Sequence, residues 1–206
     1  MRMDHLVYGV PELTDGVASL EAKTGVRADL GGQHPGRGTH NALLSLGDRR
    51  YLEIIALDPI QVEAPHFFAR ELEALSQPKL IAWAVAVDSV AEIARRAKAA
   101  NIETLGPLQG SRAQSDGKLL TWKTLRIAAA SLWGLPFFIE WESGAAHPAG
   151  TSPRGCSLAS FWIEHPRVDA MNHALISLDV EAIVRAAPQS RIVARLHSPK
   201  GEVELD

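Results

Sequence analysis

The chain has 206 residues, 46% of them hydrophobic, enough to fill the core of one large or two small domains. Its single cysteine, Cys156, excludes an internal disulfide, and a net charge of −3 with scattered basic residues argues against nucleic acid as a partner. No stretch approaches the roughly 20 apolar residues of a membrane span and the first apolar run is too short for a signal peptide, so no membrane partner and a cytoplasmic setting are expected.

Residues 4–10, Asp-His-Leu-Val-Tyr-Gly-Val, read as a strand. Leu13, Val17 and Leu20 then recur at helical spacing until Thr24-Gly25, where glycine can close a helix in the left-handed conformation. A glycine-rich loop over residues 31–38 precedes two strands, 41–46 and 50–56, joined by the turn Gly47-Asp48. A linking helix is expected over residues 67–76, bounded by Pro65 and Pro78.

The same grammar then returns. A strand at 80–87 leads to the capping box Ser89 to Glu92, an apolar stripe at Val90, Ile93, Ala94 and Ala97, and a stop at Asn101. Val10 matches Val87, Gly25 matches Asn101, and Val26 and Ile102 follow the two stops alike. A loop at 110–117 and strands at 119–127 and 137–142 complete the second copy. The simplest account is an internal duplication. The fold class is therefore α+β, with paired βαβββ modules at residues 1–57 and 80–142. Residues 143–156 read as a linker. Beyond it come a strand at 158–163, helices near 168–175 and 180–187, and a hairpin at 191–205. Residues 143–206 thus form a linker and a C-terminal α/β appendage, expected to pack on the second module and extend its sheet.

Three residues interrupt apolar strands. His5 lies between Asp4 and Leu6, and a histidine in such a strand must either be satisfied in the core or bind something. Glu53 lies in Tyr-Leu-Glu-Ile-Ile, and Glu140 in Phe-Phe-Ile-Glu-Trp-Glu, at what reads as the matching place of the second module. Either could face solvent, but two acidic interruptions at matching positions point to one common cleft. Of the loop histidines, His40 is favoured over His34, because Thr39-His40-Asn41 opens a strand that borders the cleft. Arg112 could clamp a substrate carboxylate, and Trp122 could form an apolar wall or pack in the core. The glycine loop lacks a Gly-Lys-Ser/Thr ending and opens no helix, so no nucleotide cofactor is expected. No role is read for Cys156, His147, His165, His173 or His197.

Paired βαβββ modules carrying Asp4-His5-Leu6-Val7, Tyr51-Leu52-Glu53-Ile54 and Phe138-Ile139-Glu140-Trp141 resemble the vicinal oxygen chelate superfamily. That superfamily includes glyoxalases, extradiol dioxygenases and bleomycin-resistance proteins. The wording Gly38-Thr39-His40-Asn41, Tyr51-Leu52-Glu53 and Arg112…Asp116-Gly117…Trp122 is similar to its glyoxalase-like domain subgroup. The resemblance implies curled mixed sheets around a shared cleft and a divalent ion (zinc, manganese, iron, nickel or magnesium) held by His5, Glu53 and Glu140. Glu140 and Glu53 would then be catalytic, and His40, Asn41, Arg112 and Trp122 would hold a small-molecule ligand. Matching Val10 to Val87 puts Ala82 opposite His5, so the ligand set is incomplete. The implied functions are a metal-dependent isomerase, lyase or ring-cleaving enzyme, or alternatively a metal-free binder of the bleomycin-resistance kind. The resemblance also leaves room for a homodimer.

Overall fold

The computed structural model describes residues 1–61, 68–113, 119–144 and 146–206. The first module runs β1 (Arg2–Gly9), α1 (Leu13–Thr24), β2 (Asp29–His34), β3 (Thr39–Ser45) and β4 (Tyr51–Leu57). A short helix, α2 (Ala69–Glu73), follows; the Pro65 and Phe67 end of the expected linking helix lies outside the described residues. The second module runs β5 (Lys79–Ala86), α3 (Val90–Ala99), β6 (Thr104–Ala113), β7 (Leu119–Ile127) and β8 (Phe137–Trp141). The class is the expected one, mixed α+β and dominated by strands.

Each helix forms for reasons visible in its sequence. In α1 the apolar residues Leu13, Val17 and Leu20 are buried, the Glu12 carboxylate accepts from the Asp15 N–H at 2.8 Å, and Gly25 ends the helix at φ 78°. In α3 the Ser89 hydroxyl accepts from the Glu92 N–H at 3.3 Å, Val90, Ile93 and Ala97 are buried, and Asn101 follows at φ 56°. Both stops thus turn through left-handed backbone.

The modules join into one eight-stranded sheet in the order β2-β3-β4-β1-β5-β8-β7-β6, strongly curled into a half-barrel. β1 pairs with β4 and β5 with β8 in parallel, and the modules meet along the antiparallel pair β1 and β5. The register fixes which residues correspond. The Val10 N–H donates to the Ile55 carbonyl, and the Val87 N–H donates to the Ile139 carbonyl, both at 2.9 Å. Ile55 and Ile139 are therefore equivalent, and so are the residues two places before them, Glu53 and Phe137. Glu140 instead corresponds to Ala56. The sequence match of Glu53 with Glu140 is displaced by three residues, an odd number, and an odd displacement puts a side chain on the other face of the sheet.

The C-terminal piece forms a sheet of its own, order β10-β9-β11-β12, and does not extend the second module's sheet. Its elements are β9 (Ser157–His165), α5 (Val168–Ser177), β10 (Val184–Ala186), β11 (Arg191–Ser198) and β12 (Gly201–Leu205). Where the sequence suggested a second helix, residues 184–186 pair in parallel with β9. The piece bonds to both modules: the Ser45 N–H donates to the Pro153 carbonyl at 2.9 Å, and the Leu80 N–H to the Asp206 carbonyl at 2.8 Å. The expected linker contains a four-residue helix, α4 (Pro148–Thr151), against β3.

Two packed regions flank the large sheet. On one face α1, α3, α5 and the second sheet bury Leu6, Leu20, Leu52, Trp83, Val85, Ile163 and Ile192. On the other, the inner face of the curl, Val7, Ile55, Ala84, Phe137 and Ile139 pack against Phe68 and Leu72 of the α2 region. Fully burying each large aliphatic or aromatic side chain contributes roughly 1.5–3 kcal/mol. The remainder of the inner face is left for a cavity.

Candidate functional site

Strand alternation aims His5 of β1, His34 of β2, Asn41 of β3, and Tyr51 and Glu53 of β4 at the inner face, where they bound a cavity of about 60 Å³. That is room for roughly four waters. Trp122, Phe137, Ile139 and Trp141 supply its apolar wall from the second module.

The polar centre begins at Asp4, which is 3% exposed. The β1–β5 register slips between Met3 and His5, so Asp4 sits in a bulge, a device that re-aims a side chain. Its Oδ1 accepts from His5 Nδ1 at 2.6 Å, and its Oδ2 from Trp141 Nε1 at 3.0 Å and His147 Nε2 at 2.9 Å. Burial opposes ionisation of Asp4, but hydrogen bonds from His147 and His5 outweigh it and hold the carboxyl well below the usual carboxylate range. An ionised carboxylate can only accept. This puts a proton of His5 on Nδ1 and turns Nε2 towards Glu53 Oε2 at 3.7 Å. The His5 ring is held flat against Tyr51, centroids 4.5 Å apart. Burial pushes the Tyr51 phenol well above its ordinary pKa, with Asp4 and Glu53 adding to the effect, so it stays neutral.

Glu53 is held from the other side. Its Oε1 accepts from Asn41 Nδ2 at 2.6 Å. The second proton of that amide is directed at His34 Nε2, 3.2 Å away, while His34 Nδ1 lies 2.8 Å from the Thr39 hydroxyl. Burial pushes the His34 pKa down; Glu53 opposes this, and Arg112 and Arg37 reinforce it, so His34 is neutral. Asn41 Oδ1 has no hydrogen-bond partner among the described residues and lies against Gly31. A Cβ on Gly31 would come within 2.2 Å of that oxygen, so only glycine fits there. Gly31 is itself the bulged residue where the β2–β3 register slips.

Two arginines cross the gap between the sheet's edge strands. Arg112 Nη1 on β6 donates to the Gly31 carbonyl at 2.6 Å, and Arg37 Nη2 donates to the Gln109 carbonyl. Both also line the cavity, and a guanidinium has five donors, so one bond to a carbonyl leaves others for a ligand. Burial pulls both guanidinium pKa values down without taking them out of the charged range.

Of the residues read from sequence, His5, Glu53, Asn41, Arg112 and Trp122 come together around this cavity. Glu140 does not. Its Oε2 accepts from the Val90 N–H at the start of α3 and its Oε1 from Lys123 Nζ at 2.8 Å, on the opposite face of β8 from Ile139. Lys123 and the Val90 N–H hold its carboxyl below the usual range. The expectation that Glu53 and Glu140 share a cleft is thus overturned. His40 alternates with Asn41 and lies on the other face, and His34 takes the place expected of it. Asp4, His147, Tyr51 and Arg37 belong to the site without having been picked out. A charged residue opening a buried strand could have flagged Asp4; nothing local in the sequence points to His147.

The residues present do not fit a divalent ion. The Asn41 amide is bonded to Glu53 Oε1 and directed at His34 Nε2, which ties up two of the donors that would face an ion. Only His5 Nε2 and Glu53 Oε2 remain, and no group of three donors is placed to hold a metal among the described residues. In the second module the positions equivalent to His5 and Glu53 are Ala82 and Phe137, neither a ligand. A structural or catalytic zinc site has at least three protein donors.

A half-barrel of paired βαβββ modules with a polar centre on its inner face is the architecture of vicinal oxygen chelate proteins. Within it, the family model of the glyoxalase-like domain matches residues 3–178, so the chain belongs to that family. Among solved structures, a hypothetical protein from Staphylococcus aureus is similar at TM-score 0.68 and 15% identity, covering 98% of this chain and 83% of that one. Methylmalonyl-CoA epimerase from Mycobacterium tuberculosis is similar at TM-score 0.50 and 15% identity, covering 69% of this chain and 88% of that one. A hypothetical protein from Bacillus halodurans is similar at TM-score 0.51 and 17% identity, covering 70% and 97%. No curated protein matches. No helix among the described residues is long and apolar enough to cross a membrane.

Proposed function

We propose that this chain is a metal-independent enzyme that moves a proton on a small oxygenated anion, an isomerase type of step, with the site carried by the paired modules together with His147. One observation carries the reading: the line Asp4, His5, Glu53, in which a buried ionised carboxylate fixes one imidazole tautomer and aims its free nitrogen at a second carboxylate in the cavity. Glu53 Oε2 takes a proton from the carbon beside a substrate carbonyl, while Asn41 holds Oε1. Arg112 and Arg37 hold the substrate's anionic group and steady the oxygen on which charge develops. His5 Nε2 relays the proton, and its return to the same or a neighbouring atom completes the step. Trp122 and Trp141 form the apolar wall that keeps water out. The epimerase among the structural neighbours is a protein of the same fold and fits this class of reaction.

A second reading, a binder that sequesters a small molecule, is supported by the two arginines being tied to backbone carbonyls across the entrance. Incubation in D2O with a panel of 2-oxo and 3-oxo acids, followed by proton NMR, separates the two. Deuterium exchange catalysed by the wild type and abolished in Glu53→Gln supports the enzyme. Binding without exchange supports the sequestering protein, and neither binding nor exchange overturns both.

A further inference from the structure

A second cavity, of about 210 Å³, lies beside the first and shares two walls with it, the rings of Phe68 and Phe137. Its lining side chains are apolar but for one, and Ile81, Ala82, Leu105, Leu132 and Trp133 stand out, with backbone polar groups exposed between them. Its one charged lining side chain, Arg126, is committed to Glu71 and stacks on Phe68. The Gly134 carbonyl at its wall already accepts from Trp83 Nε1 at 2.8 Å. The module correspondence explains why the space exists. Ala82 stands where the first module has His5, so a methyl group takes the place of an imidazole on the chamber wall.

We propose that this chamber is the tail subsite for the ligand of the Glu53 cavity, taking the aromatic or branched-alkyl part of a carboxylate whose oxygenated head lies against Glu53, Arg112 and Arg37. The inference rests on the reading of the Glu53 cavity as an anion site. An apolar cavity of about 150 Å³ accepts a benzene ring, so a phenyl or isobutyl group fits the larger chamber. The two rings, centroids 5.9 Å apart, stand between head and tail, and a ligand that spans both chambers turns one of them aside. Selectivity would then come from the second module and chemistry from the first. The second module has the apolar Ala82 and Phe137 where the first has His5 and Glu53, side chains that suit a ligand's tail.

The test is calorimetric binding of pyruvate, 4-methyl-2-oxopentanoate and phenylpyruvate to the full chain and to two filling variants, Ala82→Leu and Leu132→Trp. The wild type should bind phenylpyruvate at least about tenfold tighter than pyruvate. That gain should vanish in at least one correctly folded filling variant, with pyruvate affinity unchanged. Pyruvate binding with no gain from the larger acids, or a gain that survives in both variants, overturns the tail subsite and leaves the reading of the Glu53 cavity standing. If none of the acids binds, or if binding is indifferent to Glu53→Gln and Arg112→Met, both fall.

Discussion

His5 Nε2 and Glu53 Oε2 face each other across 3.7 Å without a hydrogen bond between them, each held in place by a different partner, Asp4 on one side and Asn41 on the other. The gap between an imidazole nitrogen and a carboxylate is a place for a proton or for a ligand's donor. Because the two holding residues fix the geometry before anything binds, the site spends little on reorganisation when it does.

Asp4 accepts from three donors, whereas an amide in its place offers one acceptor oxygen and brings two donors of its own. Asp4→Asn should therefore destabilise the chain by about 3–5 kcal/mol, as breaking a buried ionic cluster does. Urea unfolding measures this. The proton on His5 should also lose its fixed place at Nδ1, visible in long-range proton–nitrogen NMR spectra, whereas His147→Gln, which keeps a donor, should leave the tautomer unchanged.

The wild type should show no rise in melting temperature with zinc, manganese, iron(II) or nickel after chelation. Ala82→His with Phe137→Glu places ligands at the positions equivalent to His5 and Glu53 and should create a response to metal. At a concentration about 100 times the dissociation constant, binding would add about 2.7 kcal/mol. A wild type that is stabilised by these ions would show that the Asn41 amide yields its place.

The pH dependence follows from His34 and Asp4. The folded pKa of His34 is depressed, so below the ordinary histidine value of about 6.5 the unfolded chain takes up a proton that the folded chain refuses. Stability is full above that pH and declines as the pH falls through it. The Asp4 contribution, also from a depressed pKa, is present above about 3.9 and is lost only in stronger acid. Melting temperatures from pH 8 to 5 should fall, and the slope should shrink in His34→Gln, which keeps an acceptor for Asn41.

Gly31→Ala drives a methyl group into Asn41 Oδ1 and should cost about 1–3 kcal/mol by overpacking, with loss of ligand binding as Asn41 lets go of Glu53. Glu140→Gln, on the opposite face, should cost only about 1 kcal/mol through the start of α3 and leave binding as it was. Paired denaturation and binding measurements on the two variants check which face of the sheet carries the site.

Much of this was legible because it is local. The strand, helix and stop grammar depends on spacing and caps, and both stops do adopt left-handed backbone at Gly25 and Asn101. His5 and Glu53 stood out as polar breaks in apolar strands, and they meet. What failed was register. Glu140 interrupts an apolar run just as Glu53 does, but the hydrogen bonds of Val10 and Val87 that set the true correspondence cannot be read along the chain. The segment 180–187 has apolar residues at helical spacing, yet Ile183 and Val184 are β-branched and β9 offers an open edge, so pairing wins over periodicity. His147 reaches Asp4 across 143 positions of sequence, a contact made only by the folded chain.

Among the described residues the seam between β2 and β6 is closed by two side chains and not by a ladder of backbone bonds. The backbone pairing of the other strands does not pass through the side chains at positions 37 and 112. A shorter or uncharged side chain at either position would widen the way in and change the charge that greets a ligand, while the backbone bonds between the neighbouring strands keep their register. One scaffold can in this way be handed from substrate to substrate by changes at its margin.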